Sequence, residues 1–134
     1  MSKKFMHHVC IQTDKYEESL AFYRDIMEFE VVKETVGFHG RDFNTWLKLD
    51  DFMIELQTAK KGNTFNKWSS LNEGIVHMCF LVEDIDAEYK RIIELGYNKF
   101  KIKNGVVIYD VEDGRLFKIK APEGTEIEIR DTNI

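Results

Sequence analysis

Two segments of this chain begin alike and lie 69 positions apart. His8-Val9-Cys10-Ile11 is repeated as His77-Met78-Cys79-Phe80, and an acidic residue and a helical pattern follow each copy. After each helical pattern the apolar residues change to a period of two, which is typical of strands. The sequence therefore predicts two copies of one strand-helix-strand-strand-strand unit, an α+β fold.

The helices and strands of the two copies have recognisable limits. Asp14 is expected to cap a helix over 15–27, and Asp84 a helix over 85–95 that ends at Gly96. Strands are expected at 30–35, 43–49 and 52–57 in the first copy, and at 99–103, 106–111, 115–120 and 125–130 in the second. Each copy ends on a strand with Ile-Glu-aliphatic at its centre, Ile54-Glu55-Leu56 and Ile127-Glu128-Ile129.

The chain has the size and composition of one domain. Its 134 residues include a single proline and no Ser/Gly/Pro-rich tract that would mark a flexible linker. We expect one domain over 1–134, with module one at about 5–60, a link at about 58–74 and module two at about 75–131. Two cysteines make no disulfide framework.

Charge and hydropathy exclude several classes of partner. The chain has 24 acidic residues against 19 Lys and Arg, a formal charge of −5, which argues against a phosphate-backbone footprint on nucleic acid. No apolar run approaches the ~20 residues of a membrane span. We expect a cytoplasmic protein that acts on a small molecule.

Side chains alternate between the two faces of a strand, so the matched strands can be divided by face. One face is apolar throughout: Val9, Ile11, Ile54, Leu56, Met78, Phe80, Ile127 and Ile129. The other face is polar: His8, Cys10, Gln12, Met53, Glu55, Gln57, His77, Cys79, Leu81, Glu126, Glu128 and Arg130. A solvated face is one interpretation, but His, Cys, Met and Leu suit a concave, partly dry surface better.

Two histidines and two glutamates stand at equivalent places on the polar face. If the two units curl alike and pack about a pseudo-twofold axis, His8, Glu55, His77 and Glu128 converge. Four such ligands bind a divalent ion with positions left open for substrate, and nitrogen and oxygen donors admit Zn, Ni, Co, Mn and Fe(II). The predicted fold is therefore two tandem βαβββ modules forming a curved, mixed, eight-stranded sheet around a metal cup.

Four motifs together resemble a known family. They are His8-Val9-x-Ile11 followed by Ser19-Leu20-Ala21-Phe22-Tyr23; Phe52-Met53-Ile54-Glu55-Leu56; Val76-His77-Met78-x-Phe80-x-Val82-Glu83-Asp84; and Pro122-Glu123-Gly124-Thr125-x-Ile127-Glu128-Ile129. Over residues 6–131 the chain resembles the vicinal oxygen chelate superfamily, which includes glyoxalase I, fosfomycin-resistance enzymes, methylmalonyl-CoA epimerase and extradiol dioxygenases.

The resemblance is nearest to glyoxalase I (lactoylglutathione lyase), whose complete metal-ligand set is matched by His8, Glu55, His77 and Glu128. It implies a metal-dependent lyase or isomerase that converts a 2-oxoaldehyde-thiol hemithioacetal, as formed from methylglyoxal, into a 2-hydroxyacyl thioester through an enediolate. Zn or Ni is the first expectation for the metal. Glu128 is the implied base with Glu55 opposite it, and a homodimer with sites built at its interface is also implied.

The chain departs from glyoxalase I where that family holds glutathione. Gln12 stands in place of an arginine, and Ala59 stands near the position of an asparagine. A different thiol, or none, therefore stays open. Fosfomycin-type epoxide opening, epimerisation and ring-cleaving oxygenation are alternatives on the same metal cup, and a metal-free protein that sequesters a small ligand is an alternative of another class.

Several other residues receive plainer interpretations. Cys10 and Cys79 are expected to be small cavity-lining thiols, and His7 is expected to point away from His8. Of the candidate anion contacts (Arg41, Lys101, Lys103, Arg115, Lys118, Lys120 and Arg130), only Arg130 is placed on the ligand face by the strand alternation. Trp46 and Trp68 line either a pocket or a subunit contact.

Overall fold

The computed structural model describes residues 3–132 and divides the chain into two compact units, one ending at Lys67 and the other beginning at Trp68. Each unit contains a four-stranded mixed sheet and one principal helix. Within the described residues, no helix has the length and apolar character needed to cross a membrane.

The first unit is a strand, a helix and three further strands. Its elements are β1 (His8–Gln12), α1 (Tyr16–Ala21), β2 (Glu30–Val36), β3 (Phe43–Leu49) and β4 (Phe52–Gln57). A π-helical turn, Phe22–Ile26, extends α1, and a 3-10 turn, Phe38–Gly40, precedes β3. The strand order is β1-β4-β3-β2, in which β1 runs parallel to β4 and the other pairs are antiparallel.

The second unit repeats this topology. Its elements are β5 (His77–Leu81), α2 (Ile85–Glu94), β6 (Tyr109–Val111), β7 (Gly114–Lys120) and β8 (Glu126–Arg130). The order is β5-β8-β7-β6, and β5 is parallel to β8. The α+β class and the tandem βαβββ modules are thereby confirmed, with the eight strands hydrogen-bonded as two sheets of four.

The strand expected over 99–103 does not form. This segment makes isolated bridges, Phe100 with Ile119 and Lys103 with Val106. It then turns away from β7 at Asn104 and Gly105, which both have positive φ, 51° and 80°. The following strand is correspondingly short, and only 109–111 of the expected 106–111 joins the sheet.

The two helices begin in different ways. Asp84 caps α2 as predicted, because its carboxylate accepts a hydrogen bond of 3.0 Å from the backbone N–H of Ala87. The expected cap at Asp14 is wrong. Helix α1 begins at Tyr16, which places Lys15 at the cap position without a side-chain bond, and the Thr13 hydroxyl accepts from the Lys15 N–H instead.

The predicted division of the strands by face agrees with the observed burial. On the apolar face, five residues are buried: Ile11, Ile54, Leu56, Ile127 and Ile129. Val9, Met78 and Phe80 on the same face are half-buried. Each helix adds buried residues to the core of its own unit, with Leu20 and Tyr23 in the first and Ile85 and Ile92 in the second.

Candidate metal-binding pairs

A parallel pair of strands places a histidine beside a glutamate in the first unit. The register sets His8 opposite Met53 and Cys10 opposite Glu55, so His8 and Glu55 are diagonal neighbours on one face. The distance from Nε2 of His8 to Oε1 of Glu55 is 3.4 Å. The ring of Trp46 on β3 lies edge-on to His8 with centroids 4.7 Å apart.

The second unit contains the equivalent pair. The register sets His77 opposite Glu126 and Cys79 opposite Glu128. The distance from Nε2 of His77 to Oε1 of Glu128 is 3.6 Å, and the Glu128 side chain is only 9% exposed. The repeat noticed in the sequence therefore corresponds to two pairs of the same residue types, with nearly the same separation, in the same strand positions.

The geometry of each pair fits two ligands of one cation better than a direct hydrogen bond. Both separations, 3.4 and 3.6 Å, exceed the usual length of an N–H···O bond. Two donors that each lie ~2.1 Å from a metal ion at a tetrahedral angle are roughly 3.4 Å apart. In neither unit do three or more potential ligands of the described residues cluster, so each unit offers two donors. That all four bind one ion stays a prediction.

His7 is a contact that the strand alternation missed. Its Nδ1 lies 2.8 Å from Nδ1 of His8, so one ring donates to the other. The expectation that His7 points away is wrong because His7 precedes β1, and the alternation of an extended strand does not extend to it. Metal-binding histidines commonly fix their ring through the second nitrogen, and His7 offers this to His8. The corresponding Nδ1 of His77 is buried without a hydrogen-bond partner among the described residues.

Cys10 and Cys79 lie on the same face as the pairs. Both residues are exposed, although neighbouring side chains partly shield the sulfur atoms. This shielding, together with the Glu55 carboxylate, raises the pKa of the Cys10 thiol to about 11. Shielding and Glu128 likewise raise the pKa of Cys79 to about 12. Both thiols are therefore protonated at neutral pH, as suits small lining residues rather than thiolate nucleophiles.

Arg41 lies against Gln12, the residue that stands where glyoxalase I has an arginine that holds glutathione. Its guanidinium donates to the Gln12 side chain at 3.3 Å and to the Thr58 carbonyl at 2.6 Å. Arg41 comes from the segment between β2 and β3, so no strand periodicity could have placed it there. Trp68, in the other unit, packs against Gly124, where an added Cβ would come within 2.8 Å of the Trp68 side chain.

The family to which the chain belongs follows from comparison with known proteins. Residues 5–129 match the model of the Glyoxalase/Bleomycin resistance protein/Dioxygenase superfamily, so the chain belongs to this superfamily. No curated protein sequence matches it significantly.

Solved structures with the same fold extend over the whole chain. A glyoxalase family protein from Enterococcus faecalis has 24% identity and a TM-score of 0.77, with 98% of this chain and 100% of that one covered. Lactoylglutathione lyase from Agrobacterium tumefaciens has 17% identity and a TM-score of 0.69, with 98% and 96% covered. The fosfomycin resistance protein FosX from Listeria monocytogenes, complexed with Mn(II) and sulfate, has 16% identity and a TM-score of 0.67, with 100% and 96% covered.

Proposed function

We propose that this protein is a metal-dependent lyase or isomerase of the glyoxalase I type, in which His8, Glu55, His77 and Glu128 together hold one divalent cation. The observation that carries the proposal is the repetition of the His–Glu pair, at 3.4 and 3.6 Å, on the first and last strands of both units. Its substrate is a 2-oxoaldehyde-thiol hemithioacetal, and its product is a 2-hydroxyacyl thioester.

The donor set suits the cation that the superfamily commonly uses. Two imidazoles and two carboxylates match Zn or Ni, with Co, Mn and Fe(II) also admissible. A bound divalent cation supplies the positive charge that stabilises an oxyanion as it develops on the substrate. The two carboxylates balance that charge, so the site polarises a carbonyl without becoming strongly cationic.

Glu128 is the residue that we assign as base. Its side chain is 9% exposed, so little water competes with a substrate for it. One carboxylate oxygen faces His77, and the other lies 3.5 Å from Nε of Arg130. A carboxylate held between these groups can accept a proton from carbon and return it to the neighbouring carbon, which moves the substrate through an enediolate. Glu55, with 19% exposure, stands at the equivalent position of the first unit.

The residues near the site do not match those that hold the thiol half of the substrate in glyoxalase I. Gln12 and Ala59 lack the groups that hold glutathione in glyoxalase I, and Arg41 is already hydrogen-bonded to Gln12. We propose a homodimer in the cytoplasm, where the two free thiols, Cys10 and Cys79, suit a reducing compartment. The four ligands of one ion are then supplied by one chain or by two.

Metal analysis of the purified protein tests the proposal first. We expect one equivalent of a divalent metal per site in the wild type and a large loss in His77→Ala. The control is His39→Ala, which removes an imidazole from the turn before β3. A wild-type protein without stoichiometric metal would favour the metal-free binder.

A thiol screen then separates the enzyme reactions. Methylglyoxal is mixed with glutathione, with other low-molecular-weight thiols and with no thiol, and thioester absorbance is followed. Turnover that requires both the metal and one of the thiols supports the proposal. A metal-bound protein inactive with every thiol would favour epoxide opening, epimerisation or ring-cleaving oxygenation.

A further inference from the structure

Two cations of the second unit stand beside Glu128 on the polar face of its sheet. Lys118 on β7 pairs directly with Glu128 on β8, and Arg130 lies two residues beyond Glu128, hence on the same face. Glu128 therefore has a lysine opposite it on the neighbouring strand and an arginine two residues further along its own strand.

The guanidinium of Arg130 is only partly used by the protein. Its Nε lies 3.5 Å from a Glu128 oxygen, too far for a good hydrogen bond. This Nε is buried and has no hydrogen-bond partner among the described residues, although the side chain as a whole remains 22% exposed. Leaving a buried donor unsatisfied is costly, so an acceptor from outside the chain is favoured there.

The first unit shows that neither the fold nor the glutamate requires these cations. In that unit Trp46 pairs with Glu55 where Lys118 pairs with Glu128. Gln57 stands two residues beyond Glu55, at the position equivalent to Arg130. The equivalent glutamate thus has an aromatic and an amide neighbour. The two cations beside Glu128 therefore have no counterpart at the equivalent strand positions of the first unit, where the guanidinium on this face, that of Arg41, is bonded to Gln12 instead.

We propose that Arg130 and Lys118 bind an anionic group of the substrate, a carboxylate or a phosphonate, close to the proton-accepting oxygen of Glu128. This inference rests on the proposed function and narrows its substrate class to anions. Around Glu128 the two cations leave a local charge of +1 before any metal binds, which attracts an anion. The planar fork of arginine offers paired donors to an oxyanion, and lysine adds a point charge.

Hydroxamates with different tails test this inference on the metal-loaded protein. Acetohydroxamate chelates a metal but has no charged tail, whereas succinate monohydroxamate carries a carboxylate and 3-phosphonopropanohydroxamate a phosphonate. Calorimetry measures the affinity of each probe. We expect the tighter-binding of the two charged hydroxamates to bind about tenfold or more tightly than acetohydroxamate, because one charge-assisted hydrogen bond contributes about that much to affinity. The anionic group of the substrate is then identified by the charged probe, carboxylate or phosphonate, that shows the larger gain in affinity.

The variants Arg130→Gln and Lys118→Gln should each remove most of that gain in affinity. Lys118→Gln should also leave both the metal content and acetohydroxamate binding unchanged. Arg115→Gln is the matched control, because the Arg115 guanidinium is already paired with Asp86. Lys118 is a half-buried residue whose replacement leaves the core intact, so it keeps the test decisive if Arg130→Gln folds poorly. The inference would be overturned if the charged probes kept their higher affinity in Lys118→Gln and in any folded Arg130 variant. It would also be overturned if the wild type bound the charged probes no more tightly than acetohydroxamate.

A metal-free arm separates failure of this inference from failure of the proposed function. The NMR signal of the Arg130 Nε–H group is followed while metal-free protein is titrated with malonate and, separately, with inorganic phosphate. We expect a saturable shift that Lys118→Gln weakens, whether or not the four-ligand site holds metal. No shift with either anion would contradict the anion site, even if the protein proves to be a metal-dependent lyase.

Discussion

Glu28 and Gly96 end the helical segments of the two units with the same left-handed backbone. Their φ angles are 65° and 87°. In both units the next residue bonds back into the helix, Phe29 to the Tyr23 carbonyl at 2.9 Å and Tyr97 to the Ile92 carbonyl at 3.3 Å. Glycine adopts this conformation at little cost, whereas a residue with a Cβ is strained in it.

Exchanging residue types at these two positions should change stability in opposite directions. We expect Glu28→Gly to raise the free energy of unfolding by about 1 kcal/mol and Gly96→Glu to lower it by about 1 kcal/mol, since the left-handed region costs a side chain about that much. Urea denaturation followed by circular dichroism measures both changes. A Glu28→Gly protein less stable than the wild type would show that other contacts of Glu28 outweigh the strain.

His7→Ala should weaken metal binding without unfolding the protein. The ring of His7 holds Nδ1 of His8 at 2.8 Å, and loss of such an outer contact typically costs about tenfold or more in metal affinity. Competition with a chromogenic chelator measures the affinity, and His39→Ala is the control. Equal affinities in the wild type and His7→Ala would mean that the His8 ring is oriented without His7.

Glu128→Gln should separate metal binding from turnover. The amide oxygen can still face the cation, but it cannot accept a proton from carbon, so we expect turnover to fall by about 10²–10⁴-fold with most of the metal kept. Glu126→Gln is a close control, because Glu126 is also buried on β8 but is paired with Lys101 at 3.2 Å. Full activity of Glu128→Gln would refute its assignment as base.

The Tyr16 phenol should make stability depend on pH in the alkaline range. Burial, and then a hydrogen bond to Glu34, raise the pKa of Tyr16 from 10.0 to about 12. Because the folded-state pKa exceeds the unfolded one, this contribution is complete below pH 10 and is lost as the pH rises through about 12. Tyr16→Phe should therefore lose less stability than the wild type between these values, as measured by denaturation at several pH values. Parallel profiles for the two proteins would contradict this assignment.

The sequence predicted the parts of the fold that repeat. The duplicated motif predicted the two modules, and the period of two predicted which face Ile54 and Ile127 occupy, because both signals extend over many residues. The segment 99–103 was assigned wrongly because its alternation resembles that of a strand, while the turn at Asn104 and Gly105 takes it away from the sheet after one bridge to β7.

The sequence predicted the residues of the candidate site that lie on strands, but not the contacts that surround them. His8 and Glu55 could be paired from their positions on matched strands. The contact of His7 with His8 and that of Arg41 with Gln12 both arise outside regular strands, where sequence period gives no direction to a side chain. Asp14 failed as a cap for a similar local reason, since the helix begins one residue later than the pattern indicated.

The parallel pairing of β1 with β4, and of β5 with β8, brings the first and last strands of each unit side by side. Each unit therefore starts and finishes at neighbouring strands of its own sheet. Because the two strands are parallel, the N-terminal end of the first and the C-terminal end of the last lie at opposite edges of the sheet, so a circular permutant of one unit would need a crossover connection. A gene segment that encodes one unit and is copied in tandem therefore yields a second unit with its own histidine already next to its own glutamate.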